Sequence, residues 1–125
     1  MADLDFYSVL TRQRECRIIS GSFAPAGTGA ITDTRGVGFT AARTGVGVYE
    51  VTLEDEFPQA IIILASVQRS AAADGDVKVI GADAVSTTKK FTLTHMAAGV
   101  ATEIAANAAN RIHFMVVLKD SGVTP

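Results

Sequence analysis

The sequence predicts an all-β fold: an antiparallel β-sandwich or jelly roll of about seven or eight short strands. Three observations carry that expectation. From Cys16 onward, apolar and polar residues alternate with a period of two, the repeat of a strand with one covered face. The alternating runs are short, and clusters of Gly, Pro, Asn and Asp, the residues of tight turns, separate them. Of the 125 residues, 48% are hydrophobic and 19% charged, below the charged share of about 25% usual in soluble domains. A chain of this length forms one domain and buries about two-thirds of its unfolded surface, enough for a core without cross-links.

Residues 1–15 stand apart from this pattern. Ala2-Asp3 caps a short helix, with Phe6, Val9 and Leu10 at helical spacing. One or two turns are not stable alone in water. The segment is therefore read as a lid on its own domain or an arm that reaches a neighbour, and residues 16–125 as the sandwich.

Arg17 to Phe23 is the first strand. Pro25, Gly27 and Gly29 then make a loop, because they supply fixed or positive φ angles. In the next strand Val37, Phe39 and Ala41 share a face. Thr44-Gly45 is a tight hairpin turn. Gly47, Tyr49, Val51 and Leu53 then face one way, and Val46, Val48, Glu50, Thr52 and Glu54 the other. Pro58 closes an acidic turn, since it lacks the amide a central strand needs. Ala60 to Gln68 is apolar on both faces in its first half, the signature of a strand buried on both sides. Residues 71–76 are a loop, Val77 to Ala82 a strand, and 86–88 a turn. Lys89 to His95 alternates cleanly as another strand. Residues 97–110 are expected as a long surface loop with a short extra strand near Ala101 to Ile104. Arg111 to Lys119 is the last strand, with Ile112, Phe114, Val116 and Leu118 opposite His113, Met115 and Val117.

No catalytic set emerges. His95 and His113 are the only histidines, and a metal site needs two further converging ligands. Glu54-Asp55-Glu56 lacks the spacing of a calcium loop. The glycines around Val37 and Val46 precede strands, whereas a phosphate loop opens a helix. No Gly-x-Ser-x-Gly elbow surrounds any serine. We therefore expect no enzyme activity, no cofactor and no metal. Cys16 is the only cysteine, so no intrachain disulfide forms, and it reads as a small buried or half-buried hydrophobe. The net charge of −2, with no clustered Lys/Arg, argues against nucleic-acid binding. No apolar run reaches the roughly 18 residues of a membrane span. Asp3 and Asp5 stand where a secretory signal would be basic, so folding in a cytoplasm is expected.

One feature remains over: a second apolar face formed by Val46, Val48, Ile62, Leu64, Met115 and Val117. Either the Met1 to Leu10 segment covers it within the monomer, or it meets another subunit. Large apolar patches are rare on soluble monomers, and homo-oligomer contacts resemble a core cut in half. The second reading makes Phe6, Val9 and Leu10 interface residues too.

The span Cys16 to Val123 resembles small bacteriophage virion proteins. The resemblance rests on Arg17-Ile18-Ile19-Ser20-Gly21-Ser22-Phe23 and Gly36-Val37-Gly38-Phe39-Thr40. It continues through Arg43-Thr44-Gly45-Val46-Gly47-Val48-Tyr49-Glu50-Val51-Thr52-Leu53 and Phe57-Pro58, and ends at Arg111 to Lys119. It implies a virion structural protein without catalytic residues. The first form is a capsid decoration or cement protein, a homotrimer gripping the major capsid protein where capsomers meet, with residues 1–15 as its arm. The second is a tail- or fibre-associated adaptor or receptor binder. Such binders show aromatic residues in tip loops, and this chain has no Trp and only Tyr7 and Tyr49 as tyrosines, which favours cement.

Overall fold

The computed structural model describes residues 16–73 and 75–119. The proposed arm, with Phe6, Val9 and Leu10, lies outside them. Among the described residues the chain forms strands β1 (Cys16–Ala26), β2 (Gly29–Arg35), β3 (Phe39–Gly45), β4 (Val48–Leu53), β5 (Gln59–Gln68), β6 (Asp76–Ile80), β7 (Lys90–Ala97), β8 (Val100–Ala101) and β9 (Arg111–Lys119), with a 3₁₀ turn at Ala82–Ser86. They make two antiparallel sheets. Sheet A has the order β2-β1-β9-β5 and sheet B the order β3-β4-β7-β6, with β8 paired to β7. The expected antiparallel sandwich is the observed architecture.

Alternation decides what faces inward. Tyr49, Val51 and Leu53 of β4, Phe91 and Leu93 of β7, and Ile112, Phe114, Val116 and Leu118 of β9 are all buried. They meet between the sheets in one cluster with Ile19, Phe23 and Phe39. Phe114 sits at its centre, edge-on to Phe39 at 4.8 Å and to Phe91 at 5.7 Å. Such ring pairs add about 0.5–1.5 kcal/mol each beyond their buried area.

Several expectations are corrected. β1 runs through Pro25 to Ala26, and β2, which was not foreseen, follows it. Pro25 is tolerated because the β1–β9 ladder stops at Phe23, leaving only the irregular β1–β2 pairing beyond it. The hairpin turn falls at Val46-Gly47 instead of Thr44-Gly45, since Gly45 already pairs with Val48. Val37 lies outside β3 and is exposed, so it does not join Phe39 in the core. β7 runs on to Ala97, residues 98–110 hold only the two-residue β8, earlier than expected, and Ile104 is fully buried. β5 is not covered on both sides: it is the edge strand of sheet A.

Candidate functional site

The two outer faces of the sandwich differ in chemistry. On sheet A, the registers set Ile18, Val117 and Ile62 side by side across β1, β9 and β5. The next row is Ser20, Met115 and Leu64, and the one after it Ser22, His113 and Ser66. Ile18, Ile62 and Leu64 are about half exposed, at 51, 49 and 55%, and Met115 is 38% exposed. Side chains paired across neighbouring strands touch, so these four apolar residues, with half-buried Val117, form one contiguous patch. A shallow groove of about 230 Å³ runs beside it, between Leu64, Ser66, His113 and Met115.

The patch ends on polar ground. The His113 imidazole donates from Nε2 to Gln68 Oε1 at 2.9 Å. Beyond it Arg111 is almost wholly buried. Its guanidinium donates to Asp33 Oδ2 at 2.7 Å, to the Asp33 carbonyl at 2.6 Å and to Ser22 Oγ at 2.9 Å. Arg35 also bonds Asp33, and it is the largest reason the Asp33 carboxyl is held below its ordinary range, with Arg111 adding to the effect. This group ties β9 to β1 and β2 and engages every nitrogen of the Arg111 guanidinium.

Sheet B is mixed, with exposed Ile80 set among polar and charged neighbours. Its outward rows are Val48, Thr94 and Lys78, then Ala42, Glu50, Thr92 and Ile80, then Thr40, Thr52 and Lys90. Lys90 pairs with Glu50 at 3.2 Å, and Lys78 with Asp76 at 2.7 Å. Of the residues singled out as a second apolar face, the structure brings together Ile62, Leu64, Met115 and Val117. Val48 lies on the other sheet among Thr and Lys, and Val46 is exposed in the β3–β4 turn. Ile18 was not singled out. Two adjacent isoleucines at 18 and 19 cannot both face inward on a strand, and that was the available signal.

The glycine-rich motif on which the resemblance rests knits one corner of the fold. Arg43 makes a two-pronged ion pair with Glu103, with Nε at 3.0 and 3.2 Å from the two carboxylate oxygens. Glu103 Oε1 also accepts the Gly47 amide at 3.2 Å. The Gly47 carbonyl accepts the His95 amide at 2.8 Å. Gly47 has φ 65°, and a Cβ there would come within 2.6 Å of the Thr102 carbonyl. Tyr49 is buried beneath this corner. Burial, and next the charge of Glu103, push its phenol up to about 12, so it stays neutral and acts as packing.

His95 belongs to the same corner. It is fully buried, and its Nδ1–H donates to the Thr102 carbonyl at 2.8 Å. Its Nε2 faces Gly75 and has no hydrogen-bond partner among the described residues. His113 points out of sheet A, so the two histidines do not share a site. No group of three or more His, Cys, Asp or Glu able to hold a metal occurs among the described residues. No helix among them is long and apolar enough to cross a membrane. Ile18, Ile62, Leu64 and Met115 give the outer face of sheet A a contiguous exposed apolar surface. No protein-family profile, curated protein or solved structure matches this chain.

Proposed function

We propose that this chain is a structural subunit of a bacteriophage virion, a capsid decoration or cement protein made in the host cytoplasm. In this reading it self-associates and grips the major capsid protein through the outer face of sheet A. The observation that carries it is the contrast between the faces: Ile18, Ile62, Leu64, Met115 and Val117 form one contiguous apolar patch on sheet A, while on sheet B the apolar Val48 and Ile80 are kept apart by Thr92, Thr94 and their charged neighbours. A patch of this kind is costly in water and marks an interaction site. The class of particle comes from the resemblance, and the mode of attachment from the patch. Cementing is additive, with many weakly held copies together resisting pressure from packaged DNA.

The rival placement, a tail- or fibre-associated adaptor or receptor binder, calls for aromatic side chains in exposed loops. All the described aromatics, Phe23, Phe39, Tyr49, Phe57, Phe91 and Phe114, are buried. Counting copies per particle by quantitative mass spectrometry of purified virions tests the reading. Hundreds of copies are expected. A few or a dozen place the protein on the tail, and its absence from the particles removes the virion reading.

A further inference from the structure

β5 has the composition of a central strand and the position of an edge strand, and we propose that a second copy of this chain pairs with it, antiparallel, across a two-fold axis. Within sheet A its hydrogen-bonded neighbour is β9, and among the described residues no other backbone bond reaches it. An open edge presents a row of amides and carbonyls that another strand can satisfy, and proteins usually blunt it with charge, proline or bulges. The other edges are blunted this way. β2 carries Asp33, Arg35 and breaks in register, β3 carries Arg43, and β6 carries Asp76 and Lys78. From Gln59 to Gln68 there is no charge and no proline, and the one irregularity lies near the start, between Ala60 and Ile62.

The cover on β5 is incomplete on both faces. Ile62 and Leu64 stand outward and exposed. Ala60, Ile63, Ala65 and Val67 pack on the core yet are only partly buried, as are Val77 and Val79 of the adjacent β6. By contrast, Val116 of the neighbouring β9 is fully buried. A strand added at this edge completes the cover that the inward residues lack.

A second copy is the occupant this edge suits. Pairing β5 with β2, β3 or β6 of another molecule would set charges into the seam, whereas β5 meets none in its own copy. Antiparallel pairing centred on Ile63 places Ile62 of each copy opposite Leu64 of the other, giving two apolar cross-strand contacts on one face. Like-with-like pairing also closes the assembly at two copies, in place of the three-fold ring the resemblance suggests. The two apolar faces then become one sheet of double width. The pairing stands whatever that face docks on.

Sedimentation of the full chain over the micromolar range tests this, and a monomer–dimer equilibrium is expected. The pair Ile62→Asp with Leu64→Asp, and the pair Ile62→Lys with Leu64→Lys, should each weaken the dimer at least tenfold while the circular dichroism stays that of a β fold. Mixing the two should restore a dimer, because opposite charges then meet across the seam. Met115→Asp, one strand inward, should leave the dimer intact. A full chain that stays monomeric throughout overturns the proposal, including the case where residues 1–15 of the same chain cover the edge. So does a mixture that stays monomeric, or a Met115→Asp variant that dissociates as far as the β5 variants, since the contact would then be the face and not the edge.

Discussion

At the scale of single residues, the Gly47 corner concentrates several demands on one backbone position. Its φ of 65° is left-handed, and its missing Cβ lets the backbones of Thr102 and His95 approach. Gly47→Ala should therefore cost about 2 kcal/mol or more, the left-handed penalty plus the clash, and a denaturant titration should show an earlier midpoint with unchanged slope. Glu103 gives this corner a pH dependence. Its hydrogen bonds from Arg43, chiefly, hold its carboxyl below the ordinary value of 4.5, against the opposing effect of burial. A carboxylate depressed in the folded state adds stability that is present above the unfolded value and is lost as pH falls through the folded one. Wild type should thus melt a few degrees above Glu103→Gln near neutral pH, with the gap narrowing once the pH drops below about 4.5. A gap unchanged from neutral to strongly acidic pH would show that the ion pair does not supply it.

At the scale of elements, strand existence was legible from alternation, and the last strand was read with the bounds it has. What local pattern does not contain is which sheet a strand joins. Val48 and Ile62 were grouped because both alternate outward, yet they sit on opposite sheets, and parity alone cannot separate them. β5 was expected to be covered on both faces for a sound reason, its run of isoleucines. Among the described residues it stands at an edge, with β9 as its neighbour on one side and no strand on the other. β2 was missed because its sequence, GAITDTR, carries Asp33 at a positive φ and reads as loop. The β7–β8 hairpin shows the same limit. Its turn residues are Ala98 at φ 52° and Gly99 at φ 78°, two positive angles in succession, the demand of a type I′ turn. Nothing about an alanine announces that role. Ala98→Asn should stabilise the protein by about 0.5–1 kcal/mol, because asparagine tolerates this region better. A lowered melting temperature in this variant would show that the turn tolerates alanine for a reason of packing.

At the scale of the whole molecule, the sandwich is two-sided, and the sides predict different consequences for the same change. A charge placed on the outer face of sheet A, by Met115→Asp with Val117→Asp, meets no core residue, because the inward positions of β9 are Phe114, Val116 and Leu118. The fold should survive. The apolar patch should not, since an isolated carboxylate buried against a partner costs several kcal/mol unless it is paired. Attachment to the particle should fall at least tenfold, read as the fraction that co-sediments with virions stripped of the native protein. A matched change on sheet B, Thr92→Asp, joins a surface already carrying Glu50 and Lys90 and should leave attachment within twofold. These β9 positions lie one strand in from the β5 edge, so the variant keeps any pairing of copies and isolates the face as the cause. Equal loss from both sheets would mean that the particle does not read the difference between them, and the adhesive role of sheet A would fall with it.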